Sequence, residues 1–299
     1  MEPVQAIVLG PAEWAARRDA HDVRVAGWVE PHLERAVRRE KHPVLDFLFT
    51  YYNHSPGALR RWHPGAGVVL AGDPPHRRWS GYVEVEDGVT ADPALSGTRA
   101  RIARDTLALL EATAARRPVF GCHGMHEWAM VYRLSPEQVR HSAVPLRLPS
   151  AEVDAVVESA PLRCTHFDAF RFFTDPARPL NLLTPTRGAM PDLEQGGCLH
   201  TNMDLYKHAY RLSPLVPSEL VADCFALARE IRAVDMRASP YDLADLGYPP
   251  IPIETVEGRR EYVEHQRDFA DRAAVLRGRL IGTIRPVVDA LRPAGTAAR

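Results

Sequence analysis

"VPSELVADCFALAREIRAVDMR", residues 216–237, decides the fold class. Leu220, Cys224, Leu227, Ile231 and Val234 recur at spacings of three and four, the period at which side chains share one face of a helix. Ser218 stands where a helix N-cap belongs. The same period extends outward along the chain. Residues 97–116 read as an amphipathic helix with Ile102, Leu107, Leu109 and Leu110 among its apolar positions, and residues 198–212, "CLHTNMDLYKHAYRL", as another. Residues 11–40 are helical, with Pro11 in the first turn and Pro31 expected to break or restart the helix. "HPVLDFLFTYY", 42–52, reads as a buried helix opening after Pro43. Short helices are expected in "SPEQVRH", with Ser135 and Pro136 as N-cap and first residue, and in "SPYDLADLGY", stopped by Gly247. A long helix over 255–291 closes the chain, with Pro286 as its expected kink. Only "GVVLAG" and "WSGYVEVEDGVTA" alternate with period two, which predicts a β-hairpin insertion at about 67–90. The expected fold is therefore mostly α, a single helical domain over 1–299 with a small β insertion.

The totals narrow the function classes. A chain of 299 residues with 45% hydrophobic and 25% charged residues is in the range of globular proteins that bury a full core. No apolar run is long enough to span a bilayer, and the N-terminus lacks a basic region followed by a signal-type cleavage site. The four cysteines (Cys122, Cys164, Cys198 and Cys224) are far apart with no CxxC pair, which argues against a zinc ribbon or a disulfide scaffold. A cytoplasmic protein is expected. The formal net charge of −1 lacks the overall cationic excess of proteins that clamp duplex DNA, although a local basic face is compatible with it. Thirteen histidines are many for this length, and imidazole is the commonest metal ligand.

Three stretches concentrate ionisable groups among apolar ones. In "GCHGMHEWAMVYR", 121–133, Cys122, His123, His126 and Glu127 precede an apolar tail. The pattern is neither HExxH nor the H-x-E of zinc deaminases, so a metal site would need ligands from elsewhere. The alternative is a polar lip above a Trp128–Met130–Tyr132 core segment. In "RCTHFDAFRFFT", 163–174, Cys164, His166, Asp168 and Arg171 lie among Phe167, Phe170, Phe172 and Phe173. Buried charge is costly unless paired or used. His166 is a candidate base held by Asp168, and Arg171 a candidate carboxylate clamp; a plain Asp168–Arg171 ion pair is the competing reading. On 198–212, Leu199, Met203, Tyr206 and Tyr210 form a core stripe. His200 lies at its edge with Asp204 one turn on, so His200 could ligate a metal while Asp204 orients it. Asp204 paired with Lys207 or His208 is the plainer option. "RWHPGAG", 61–67, is a loop without P-loop or dinucleotide-binding spacing, and Asp46, Tyr51 and Tyr52 sit near apolar neighbours that could line a pocket.

The segments "HPVLDFLFTYY", "RRWHPGAG", "HEWAMVYR", "CTHFDAFRFFT", "CLHTNMDLYKHAY" and "DMRASPYDLADLGY" together resemble an actinobacterial and cyanobacterial family commonly labelled 3-methyladenine DNA glycosylase. The resemblance runs along nearly the whole chain and implies excision of alkylated purines. The Gly-rich LPGxG hairpin of helix-hairpin-helix glycosylases is absent, as is the Cys and His zinc pattern of the bacterial 3-methyladenine enzyme. Two enzymatic readings follow. In the first, a helical oxygenase or hydroxylase carries a His-ligated haem or non-haem iron and acts on a small aromatic substrate. It loosely resembles His-ligated haem aromatic oxygenases in architecture. His200 is the metal ligand, Asp204 its orienting partner, His126, Glu127, His166 and Asp168 the acid/base candidates, and Arg171, Phe167, Phe170, Tyr51 and Trp128 the substrate-binding candidates. In the second, a DNA N-glycosylase stacks a flipped base on Phe167, Phe170 and Trp128, and Asp168 or Glu127 activates water. A non-catalytic ligand-binding protein is the third reading. DNA is a partner only in the second, no membrane partner is expected in any, and a homodimer is left open.

Overall fold

The structure is a computed structural model, which describes residues 7–135, 138–139 and 144–291. It is mostly α with a small sheet. Helices in chain order are α1 (Pro11–Arg38), α2 (Phe47–Tyr51), α3 (Pro56–Arg60), α4 (Gly97–Ala115), α5 (Met125–Ala129) and α6 (Ser150–Ser159). They continue with α7 (Phe167–Phe170), α8 (Met190–Leu193), α9 (Leu199–Met203), α10 (Leu205–Tyr210), α11 (Ser218–Arg237) and α12 (Val256–Ala290). The strands are β1 (Ile7–Leu9), β2 (Val68–Leu70), β3 (Tyr82–Val85) and β4 (Gly88–Ala91). No helix among the described residues is long and apolar enough to cross a membrane.

Two compact units are distinguished, each gathered from separated stretches of chain. The first comprises Met1–Leu110, Leu205–Ala226 and Leu276–Arg299; the second comprises Glu111–Asp204 and Leu227–Val275. The first contains the sheet, in the order β1-β2-β4-β3. β3 and β4 form the tight hairpin, with Val85 opposite Gly88. β2 pairs antiparallel with β4, and β1 pairs parallel with β2. The insertion expected at 67–90 is thus present, but the hairpin closes within "YVEVEDGVTA" and a strand from residues 7–9 joins it. Gly88 is required there: its φ is +146°, and a Cβ would run into the Leu70 carbonyl. Leu9, Trp14, Trp62, Val68 and Leu70 form a core beneath the sheet. Trp28 and Phe49 both pack on Phe225, with ring centroids 5.0 and 5.3 Å away.

Several helix boundaries differ from the sequence reading. α1 runs through Pro31 without a break, and Pro31 lies on its exposed face. α12 likewise continues through Pro286. Residues 198–212 form two short helices interrupted at Asp204 rather than one. The helix expected after Pro43 begins only at Phe47. Residues 244–246 make one 3₁₀ turn that Gly247 ends at φ +83°. Pro136, the expected first residue of the "SPEQVRH" helix, lies outside the described residues.

The second unit builds its core on Trp128, Tyr132, Val153, Val157, Leu162, Leu199, Ile231 and Tyr262, all buried. Within it, the α11 stretch is buried on nearly every side. Beside the apolar stripe, Arg232 and Asp235 are 2% and 0% exposed, so the helix carries a charge pair into the interior.

Candidate functional site: a buried His-His-Asp cluster

Five segments of the second unit deliver ionisable side chains to one place. α5 supplies His126 and Glu127, the turn before α7 supplies His166, and the turn after α8 supplies Glu194. α9 supplies His200, and α11 supplies Arg232 and Asp235. The entry to α5 is shaped by Gly124 at φ +71°, where a Cβ would crowd the Tyr262 ring at 3.3 Å and Ala238 at 3.4 Å. That tight turn lets the helix start against the core and turns His126 and Glu127 inward, both 6% exposed. Gly124 therefore shapes the backbone at the entry to α5.

The distances define a cluster. His126 Nε2 is 3.1 Å from Asp235 Oδ1. The His126 and His200 rings meet edge to face with centroids 4.4 Å apart, and the His166 ring lies 5.4 Å from that of His200. One ligand atom each from His126, His200 and Asp235 fall within 4.8 Å of one another, and all three residues are buried. Arg232 braces the carboxylates: its Nη1 donates to Glu127 Oε1 at 2.8 Å and to Asp235 Oδ2 at 3.3 Å. Alongside, His166 Nε2 is 3.2 Å from Asp204 Oδ2 and 3.6 Å from Glu194 Oε1.

Burial and charge set the protonation of these groups. Burial works to lower the His126 pKa, but the charge and hydrogen bond of Asp235, with help from Glu127, outweigh it and raise the pKa above 6.5. For Asp235, burial works upward and the neighbouring His126, His200 and Arg232 pull the pKa below its ordinary value, so it is a carboxylate. His200 is driven well below 6.5 by burial and then by the charge of His126, so it is a neutral imidazole. Neutral imidazole and carboxylate are the forms in which these side chains bind metals. Asp235, completely buried, faces His126 Nε2 through both oxygens, Oδ1 at 3.1 Å as an ion pair and Oδ2 at 3.4 Å as a hydrogen-bond acceptor.

A cavity of about 280 Å³ opens beside the cluster, with His126 and His200 in its wall. Met125, Leu162, Ala169 and Phe173 contribute apolar surface, and so do three thiols, Cys122, Cys164 and Cys198. Burial pushes the Cys164 thiol up to about 12 and raises those of Cys122 and Cys198 as well. Protonated thiols behave as small apolar groups, so this wall is greasy rather than ligating. Gln266 Nε2 donates to the Gly197 carbonyl at 2.8 Å and contacts Cys122 Sγ at 3.3 Å, tying the wall to α12.

Of the residues singled out in the sequence, the fold brings His126, Glu127, His166, His200 and Asp204 together. Asp204, expected to orient His200, has its Oδ2 3.2 Å from His166 Nε2. His166 is thus flanked by Asp204 and Glu194, while Asp168 faces Arg171 at 3.3 Å. Arg171 also lies over the Phe172 ring and is outside the cavity lining, so the plain ion pair describes it. Phe170 is buried against Phe173 at 5.1 Å, and Phe167 lies under Arg187. Trp128 is a core residue whose indole donates to the Ala238 carbonyl at 2.9 Å. Tyr51 belongs to the first unit, stacked on Phe47 at 4.9 Å. Asp235, Arg232, Glu194 and the cavity-lining role of Cys198 escape the sequence reading. For Arg232 and Asp235 a signal existed: two opposite charges three residues apart on a helix whose other faces are already apolar.

Comparison with known families, with curated proteins and with solved structures yields no match in any of the three. The chemistry of the cluster is what bears on function.

Proposed function

We propose that the chain is a non-haem metal enzyme of the oxygenase or hydroxylase type, with a divalent ion held by His126, His200 and Asp235. The observation that carries this reading is the buried trio of donor atoms within 4.8 Å of one another on the wall of a cavity. Ligands at about 2.1 Å from a metal, set at right angles, lie about 3 Å apart, and His126 Nε2 to Asp235 Oδ1 is 3.1 Å. Two imidazoles and one carboxylate that leave the remaining positions open are the donor set of non-haem iron(II) oxygenases. The buried Asp235 Oδ1 already faces His126 Nε2 at 3.1 Å, and a carboxylate in that position suits a cation as its partner. A bound iron(II) would supply dioxygen activation.

The chain's own groups perform the rest. Arg232 fixes the orientation of Asp235 and Glu127 through its two hydrogen bonds. His166 Nε2, between Asp204 and Glu194, is placed to hold a proton beside the His200 ring. The apolar wall excludes water and accepts an apolar substrate. A haem is disfavoured, because a carboxylate shares the ligand cluster and 280 Å³ falls just below the roughly 300 Å³ at which cavities for drug-sized ligands start. Base excision and ligand storage both use a cavity, but neither gives the buried trio a role.

Elemental analysis of the purified full chain, loaded anaerobically with iron(II) and desalted, tests the proposal. About one metal per chain is expected, falling by at least tenfold in His126→Ala, His200→Ala and Asp235→Ala, and unchanged in Arg171→Gln. Circular dichroism confirms that each variant is folded. A wild-type protein that retains no metal, or a folded His200→Ala variant that retains all of it, overturns the assignment. A Soret band would restore haem.

A further inference from the structure

The cavity beside the His-His-Asp cluster has a polar feature at its mouth that the metal reading does not use. Its lining includes one arginine, Arg163, and no other Lys or Arg among the described residues. Arg163 is exposed, and among the described residues no hydrogen bond or ion pair engages its guanidinium. Its backbone, in contrast, is rigidly placed. Residues 162–164 run extended, with Leu162 and Cys164 buried on one side and Arg163 between them on the other. Asn181 clamps this segment: its Oδ1 accepts from the Cys164 amide at 2.7 Å, and its Nδ2 donates to the Cys164 carbonyl at 3.0 Å and to that of Leu183 at 2.6 Å. The Leu182 amide completes the clamp by donating to the Leu162 carbonyl at 2.9 Å.

The same clamp fixes two leucines at the entrance. Leu182 and Leu183 line the cavity yet are 59% and 37% exposed, and Val119, also in the lining, is 52% exposed. Large apolar side chains held at an open mouth mark a binding surface more than a packing need. The site is thus an apolar pocket with an apolar rim, a single guanidinium carried at that rim by a clamped backbone, and the His126–His200 wall. A guanidinium in this position matches a carboxylate by two parallel hydrogen bonds. Size follows from volume. An apolar cavity of about 150 Å³ holds benzene, with its six carbons. The 280 Å³ here then corresponds to roughly eleven non-hydrogen atoms.

We propose that the cavity takes a compact apolar monocarboxylate of about eleven non-hydrogen atoms, with its carboxylate on Arg163 at the mouth and its apolar end toward His126 and His200. This substrate class rests on the proposed function for its chemistry, but not for its binding. Arg163 takes the clamping role that the sequence reading gives to Arg171, which Asp168 already occupies.

The test is calorimetric titration of the full chain, with and without iron(II) and under anaerobic conditions, using 3-phenylpropanoate and its uncharged amide. The carboxylate is expected to bind about tenfold more tightly than the amide to wild-type protein, the scale of one charge-assisted pair at a solvent-facing site. Arg163→Gln removes the preference and leaves amide binding unchanged. Leu182→Glu weakens the carboxylate more than the amide, and Arg171→Gln changes neither. These residues are exposed or half-exposed, so the variants fold. Equal binding of the two ligands to wild type, no binding of either, or a preference that survives in Arg163→Gln overturns the proposal. Metal content of the same samples separates it from the metal reading. Arg163-dependent binding to a protein that holds no metal sinks the metal and keeps the substrate class; a metal-loaded protein indifferent to the carboxylate does the reverse.

Discussion

Replacing Asp235 by Asn removes one negative charge from a fully buried cluster while keeping the side chain's shape. Asp235 Oδ1 lies 3.1 Å from His126 Nε2, and Oδ2 lies 3.3 Å from Arg232 Nη1. Removing one partner of a buried pair costs about 3–5 kcal/mol, because the other charge is stranded. Here Glu127 still accepts from Arg232 at 2.8 Å and His126 can turn neutral, so the lower end, about 3 kcal/mol, is expected. For a chain of this size that is a fall in Tm on the order of 6–10 °C. The pH profile gives a second readout in metal-free protein. The His126 pKa is raised, so its pairing with Asp235 stabilises the fold fully below the ordinary value of 6.5 and fades as pH rises through the folded value. The Asp235 pKa is depressed, so its contribution is present above 3.8 and fades as pH falls through the folded value. Wild type should lose stability on the alkaline side of 6.5 from this pair, and Asp235→Asn should flatten that slope. Urea unfolding at a series of pH values, after chelation, measures both. A variant as stable as wild type, with an unchanged slope above neutrality, would refute the electrostatic account of the cluster.

Other outcomes follow from single contacts. Gly124→Ala should destabilise by about 1–2 kcal/mol in chemical unfolding, since φ is +71° and the new methyl meets Tyr262 and Ala238. Cys164 and Cys198 should resist iodoacetamide at pH 8 in the native protein and react on unfolding, because burial holds both thiols protonated; mass spectrometry of the alkylated peptides reads this. Metal uptake should release protons at pH 6 and fewer at pH 8, as His126 must be neutral to ligate, and titration in weakly buffered solution records the difference.

The helical class is legible in the sequence because helix period and cap residues are local signals, as at Ser218 and along Leu220–Val234. The small β segment is legible for the same reason, yet its pairing is not: β1, at residues 7–9, joins β2 across some sixty residues of intervening chain, and only tertiary packing specifies that. Asp204 ends α9, where helix period alone predicts continuation. In the site, His126, His166 and His200 stand out as histidines among apolar neighbours, an anomaly visible residue by residue. Asp235 does not, because an Asp on a helix ordinarily faces water, and its burial depends on what packs around α11. Arg171 and Arg163 show the same limit from the other side. Both flank one short motif, and only the placement of Asp168 and of the cavity tells the engaged guanidinium from the available one.

The interleaving of the two units along the chain has a consequence for biogenesis. The half that holds the histidines draws on residues up to Val275, and the half that holds the sheet needs residues beyond Leu276. Neither can finish on the ribosome before nearly all of the polypeptide has been translated. Termination anywhere before Val275 leaves both halves incomplete, so most premature stops should leave nascent material for proteases rather than a working remnant.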